Sequence, residues 1–432
     1  MEEKKNPDWL RPHDSIDEVA FAREFLKYKD LVCVEGAFFS KHGRIADESG
    51  LKKEIYLYLA PHIRTGIPRK VDRILEVMRL ETYREGLPME EDVLHLANGT
   101  LYLDGDFLPQ TSHCRYRLPV RYHPESFQPP NRWLRFLSDL LEPEDIPTLP
   151  EFMGYCLIPT TRAQKMLIIT GRGGEGKSRI GVVMKSLLGV NMGVGSVAKL
   201  ESSPFARADL QHLLLQVDDD MKMEALNQTN NLKAIVTAEL PMDLERKGIQ
   251  SYQALIRCRL MAFGNGNLQA LHDRSLGFFR RQIILTTKPK PKNRQDDPYL
   301  AEKLLEEKEG IFLWCLEGLQ RLRSNDFRFT LSHQARRNLL ESIHEGNNVL
   351  AFLQSKGYFT LDPKGSCSSR NLYSLYRDWC EDNSLAVLST RSFLTSFREA
   401  SAGMEITYTN HVPIGNGKEA RGFLGIKACS RF

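Results

Sequence analysis

Between residues 166 and about 295 the chain alternates short apolar runs with helical patterns and loops. The runs MLIIT, MGVGSV, HLLLQV, CRLMAFG and RQIILTT read as strands. Their separation by helices predicts a mainly parallel sheet flanked by helices, an α/β core. The preceding part is patterned differently. SIDEVAFAREFLKY carries apolar residues at helical spacing behind a candidate N-cap at Ser15, and LVCVEGAFFSKHGRI predicts two short strands around Glu35-Gly36. LKKEIYLYLAPHI and PRKVDRILEVMRLETY predict helices. VLHLANGTLYLDGDFLPQ and YRLPVRYHP predict two to four strands with turns at Asn98-Gly99 and Asp104-Gly105. NRWLRFLSDLL and IPTLPEFMGYCLI predict helices leading into the first core strand.

Beyond the core, YLAEKLLEEKEGIFLWCLEGLQRLR and LSHQARRNLLESIHEGNNVLAFLQS are helical in pattern. SSRNLYSLYRDWCEDN and STRSFLTSFREAS predict two short helices, and EITYTNHVPIGNGKEARGFLGIK predicts a closing hairpin. Helices followed by a Gly-Asn-Gly hairpin outline a winged helix. The expected organisation is an α+β N-terminal domain (1–150), the α/β core (151–300), a helical segment (301–345) and a winged-helix-like domain (346–432).

Composition narrows the class without naming an activity. With 41% hydrophobic and 26% charged residues, the 432-residue chain is expected to be soluble and globular. The charged start MEEKKNPDWL has no signal-peptide core, and no apolar run approaches a membrane span, so a cytoplasmic location is expected. Eight cysteines without a CxxC pair argue against a zinc site or disulfide framework. A net charge of +4 is small for this length, so any nucleic-acid contact needs local basic patches such as 244–250 and 288–294.

The chemistry begins at Gly171-Arg-Gly-Gly-Glu-Gly176-Lys177-Ser178, which fits GxxxxGK[ST] between a strand and a helix. Gly171, Gly173, Gly174 and Gly176 would let backbone N–H groups converge on phosphate oxygens. Lys177 would reach the β- and γ-phosphates, and Ser178 would hold Mg²⁺. A second run, HLLLQVDDDM, ends in three adjacent carboxylates that call for a nearby cation. Asp218 is expected to face Mg²⁺ and Asp219 to polarise the attacking water. The strand RCRLMAFGNGN offers a neutral amide to the γ-phosphate or water, from Asn265 or from Asn267. Arg280 and Arg281 precede the next strand, and either could reach a neighbouring subunit's γ-phosphate as an arginine finger.

The order GRGGEGKS, LLLQVDDD, LMAFGN, DRSLGFFRRQIIL resembles motifs A, B, C and the finger arginine of superfamily 3 helicases, within the AAA+ ATPases. It is similar in particular to the helicase portion of phage and plasmid primase-helicases, a group that includes the poxvirus type. FGNGN is more glycine-rich than that family's usual strand ending. The resemblance implies an ATP- and Mg²⁺-dependent ring, expected to be hexameric, that moves single-stranded or forked DNA in a bacterial cytoplasm. It also implies a DNA-gripping hairpin between motifs B and C. LKAIVTAELPMDLERKGIQSYQ occupies that interval, with Arg246 and Lys247 near the tip and Lys233 and Tyr252 nearby. The family's primase domain would need more chain than the first 90 residues hold. Primer synthesis is therefore not expected here, and a separate primase or polymerase is an expected partner. The alternatives are a replication initiator or loader that remodels DNA without processive unwinding, and an ATP-gated regulator that binds no nucleic acid.

Overall fold

The computed structural model describes residues 7–126, 128–222, 226, 228–268, 276–291, 295–346, 348–383, 385, 387–414 and 418–429. The chain divides into two compact units. The first comprises Met1–Met223, Thr229–Asn267 and Arg281–Arg336, and the second the remainder.

The first unit is built on a five-stranded sheet with every neighbouring pair parallel. Its spatial order is Met192–Val194, Leu215–Met221, Arg259–Gly264, Met166–Thr170, Gln282–Thr286. All residues of Met166–Thr170 and Arg259–Gly264 are buried, as expected of central parallel strands covered on both faces. Parallel strands put their carboxyl ends on one edge, where open α/β sheets hold ligands. Thr170 there lies beside Gly264 and Thr286.

Two glycines let helices meet at backbone distance. Helix Thr148–Tyr155 packs on Lys308–Ser324, where a Cβ on Gly154 would lie 2.3 Å from the Cys315 carbonyl oxygen. One on Gly318 would meet Pro150 at the same distance, so an alanine at either position forces the pair apart. One hydrophobic core runs from Leu94 through the sheet to Leu322 and Ala335. Fully buried Arg259 is held by carbonyl oxygens of Cys156, Arg257 and Thr160.

The N-terminal part of this unit has its own core, around Phe21, Phe38, Ile55 and Ile74. Helix Glu18–Leu26 is capped by Asp17, whose side chain accepts from the Ala20 N–H at 2.9 Å, while Ser15 lies in a short strand. The cap is thus two residues later than the sequence pattern implied, at the carboxylate that reaches the free N–H groups. Glu35 and Gly36 both take positive φ in the two-residue turn between Leu31–Val34 and Ala37–Ser40. In the hairpin of Val93–Leu96 and Gly99–Tyr102, Leu96 pairs with Gly99, so the turn is Ala97-Asn98 rather than Asn98-Gly99.

In the second unit, helices Asn348–Gln354, Ser369–Asp382 and Thr390–Ala400 enclose an aromatic core. Phe352 touches Tyr376, Trp379, Phe393 and Phe397 there. A three-stranded antiparallel sheet accompanies them, in the order Phe359–Ser368, Glu419–Ala428, Thr407–Pro413. The first of these strands lacks a clean alternation because its register shifts between Leu361 and Ser366. The Gly415-Asn416-Gly417 turn lies outside the described residues. All eight cysteines are unpaired, and seven are buried. No described helix is long and apolar enough to cross a membrane.

Candidate functional site

The glycine loop leaves strand Met166–Thr170 and enters helix Ser178–Leu188. Gly173, Gly174 and Gly176 take φ of +103°, +79° and +110°, a region costly for any other residue. The turn points backbone N–H groups inward, and a carboxylate of the loop itself receives them. Glu175 Oε1 accepts from Arg172 N–H at 2.5 Å, and Oε2 from Gly173 N–H at 3.0 Å and from Lys177 Nζ at 2.9 Å. Glu175 is 3% exposed and Lys177 8%. Burial opposes the Glu175 charge, but Lys177 and the backbone N–H groups outweigh it and hold the carboxyl below its ordinary range. Gly171 sits against this arrangement, where a Cβ would meet Thr287 Oγ1 at 2.3 Å and Lys177 Nζ at 2.8 Å.

The loop opens on a cavity of about 850 Å³. Its lining includes Gly173 to Arg179, Asp219, Asp220 and Asn265. Ser178, Asp219, Asp220 and Asn265 are exposed, and the Asn265 carboxamide oxygen is 3.9 Å from where a Gly173 Cβ would lie. Asn267 is not part of the lining, so of the two amides it is Asn265 that faces the loop.

Asp218 departs from expectation. It is 6% exposed, and its Oδ2 accepts from the Val197 N–H at 2.7 Å, away from the cavity. Burial pushes its carboxyl above the ordinary range, against the Val197 and Asp220 N–H groups that favour the ion. Successive strand residues point to opposite faces, and a register shift after Asp218 breaks the ladder before Met221. The cavity lining includes Asp219 and Asp220 but not Asp218, the residue expected to face Mg²⁺.

Of the two arginines, Arg280 is exposed and belongs to the second unit. Arg281 belongs to the first, where its carbonyl accepts from Met166 N–H at 2.8 Å and its side chain is half-buried, and it is not part of the cavity lining. Residues 269–275 of that motif and 292–294 of the basic run lie outside the described residues.

Strands Met242–Arg246 and Ile249–Ala254 form an antiparallel hairpin with Lys247 and Gly248 at the turn, Gly248 at φ +74°. Lys247 is exposed. Arg246 flanks that turn, paired with Ile249, near the tip as expected, but its side chain is engaged within the first unit. Its Nη2 donates to Gln211 Oε1 at 2.9 Å, and the Tyr252 hydroxyl donates to the same oxygen at 2.7 Å. Gln211 Nε2 in turn donates to Glu35 Oε2 at 2.9 Å, and Arg115 forms a two-pronged pair with that carboxylate. Lys233 is outside the hairpin, half-buried on helix Asn230–Thr237.

Sequence reading missed four contributors: Glu175, Gln211, the Glu35–Arg115 pair and the helix Asn131–Leu140. That helix lines the cavity with Arg132, Arg135, Phe136 and Asp139. Glu175 lay inside the motif, where a carboxylate among the clustered glycines was the available signal. The others depend on contacts 35 or more residues apart.

Residues 169–281 match the model of a family of unknown function, DUF5906. No curated protein matches the chain. Among solved structures, it resembles the apo A form of the NrS-1 C-terminal region. The TM-score is 0.53 at 14% identity, covering 95% of this chain and 99% of that chain. The apo structure of NrS-1 residues 305–718 gives 0.52 at 12% identity with the same coverage. At these identities the likeness is one of fold.

Proposed function

We propose that the chain is an ATP-hydrolysing DNA helicase or translocase of superfamily 3 type, with an AAA+ core and a winged-helix-like C-terminal region, acting in phage or mobile-element replication. The observation that carries the reading is the cavity itself. It joins a glycine loop, a buried lysine, two exposed carboxylates and an exposed amide at the carboxyl edge of a parallel sheet. The family match spans the same stretch, from the end of the loop strand to Arg281.

The loop fits a phosphate chain, because its N–H groups and Lys177 already gather around one anion, the Glu175 carboxylate. ATP would be held by Gly171, Gly173, Gly174, Gly176 and Lys177. Ser178, Asp219 and Asp220 would hold Mg²⁺, which supplies charge neutralisation when bound. Asn265 can hydrogen-bond the terminal phosphate or a water without adding negative charge. Of the two cavity carboxylates, one can also orient the attacking water and accept its proton. Arg280 or Arg281 would serve a neighbouring subunit in a ring, the expected hexamer. Lys247 at the hairpin turn would grip single-stranded DNA through its phosphates. A separate primase or polymerase would work beside it.

The test is hydrolysis and strand displacement by the full chain on a forked duplex, with and without Mg²⁺. Images of particles with single-stranded DNA and a non-hydrolysable nucleotide add the assembly. Hydrolysis without strand displacement would move the reading to a loader or initiator ATPase, and absence of hydrolysis would end it.

A further inference from the structure

The donors that a phosphate chain needs are already engaged. The Glu175 carboxylate lies within the curve of the loop, on the N–H groups of Arg172 and Gly173 and on the Lys177 ammonium. Its side chain is 3% exposed, so this is a built position and not a surface ion pair. A Cβ placed on Gly171 would come within 3.0 Å of Glu175 Cδ, so the room for this carboxylate depends on that glycine. One set of donors cannot serve a carboxylate and a phosphate at once.

We infer that Glu175 is an internal stand-in for phosphate and sets which anions can enter the loop. The inference rests on the nucleotide-binding reading above. An intramolecular carboxylate competes at a high effective concentration and loses no translational freedom when it binds. Orthophosphate or sulfate, free in solution, must bear that loss and gains only the same few donors. A nucleoside triphosphate offers more charge and further contacts along the cavity, so it can displace the carboxylate where a lone anion cannot. The way out is open: Arg172, Gly173 and Gly174 are exposed, so Glu175 can swing outward without unpacking the core. Lys177 then exchanges one anionic partner for another and is never left buried and unpaired, which would be costly.

The experiment is calorimetric titration of the full chain with ATP and, separately, with orthophosphate, for the parent, Glu175→Gln, Glu175→Ala and Lys177→Ala. Thermal melts check that each variant is folded. The parent should bind ATP and show no heat with millimolar orthophosphate. Both Glu175 variants should bind ATP roughly tenfold tighter or better, a change of one decade in the dissociation constant. Both should also gain orthophosphate binding that ATP competes away. Unchanged or weaker ATP affinity in the two variants, with no orthophosphate binding, overturns the inference. Lys177→Ala separates the two failures. If it binds ATP as the parent does, the nucleotide reading itself falls; if it loses ATP while the Glu175 variants match the parent, only the stand-in falls.

Discussion

The glycine loop and the basic hairpin are both turns with charged residues at glycines, yet their charges are held in opposite ways. In the loop the charges are held by near neighbours: Glu175 accepts from groups two and three residues away, and the Lys177 ammonium is enclosed with it. In the hairpin, Arg246 is tied to Gln211, 35 residues back, and through it to Glu35 and Arg115. Only Lys247 is left at the tip. A charge held within a tight turn is specified by the turn's own sequence. A charge held by a relay is specified by everything that brings the relay together, so neighbouring basic residues can have unlike jobs.

The largest expected effect is at the loop. Lys177→Ala should abolish nucleotide binding and hydrolysis while leaving the fold, and undiminished turnover would remove the distinction between the two turns. Next come the carboxylates. Asp219→Asn and Asp220→Asn should each lower Mg²⁺-dependent turnover, by on the order of 100-fold for the one that serves as general base. Asp218→Asn should keep turnover and hold or raise the melting temperature at neutral pH, since the folded state disfavours the Asp218 ion and an amide oxygen can still accept from Val197. Equal losses at Asp218 and Asp219 would restore Asp218 as the metal-facing residue.

At the hairpin, Lys247→Ala should spare basal hydrolysis and lose its stimulation by single-stranded DNA. Gln211→Leu leaves Glu35, Arg246 and Tyr252 each short of a partner, and should cost about 1–3 kcal/mol in denaturant unfolding. The same region should also show a pH slope. Buried His212 sits beside that relay, and burial, with Arg115 and Arg44 nearby, pushes its pKa down to about 3 from an ordinary 6.5. The unfolded chain therefore binds a proton that the folded chain refuses between those values. Stability should fall as pH drops through that window, by about 1.4 kcal/mol per pH unit from this group. His212→Gln should flatten that part of the stability profile, and an unchanged slope would show that the proton is taken up elsewhere.

The elements that sequence pattern placed well are those whose signal is contiguous. All five core strands appear where their apolar runs lie, and the glycine loop follows the run that predicted it. The misses have a common cause. Asp17, not Ser15, caps the first helix, because its carboxylate is the group that reaches the Ala20 N–H. Strand Phe359–Ser368 hides behind a register shift that interrupts its alternation. Among three consecutive aspartates, composition cannot say which one turns inward.

By itself the sequence determined that there is a glycine loop with a lysine, a run of carboxylates, an amide and a basic turn, because each is written in adjacent residues whose chemistry does not depend on distant ones. Tertiary structure decided orientation. A strand's pleat and a broken register sent Asp218 to Val197 and Asp219 and Asp220 to the cavity. A relay across the first unit took Arg246 inward and left Lys247 outside. Orientation is a property of packing and of long-range hydrogen bonds, so no local reading could have supplied it.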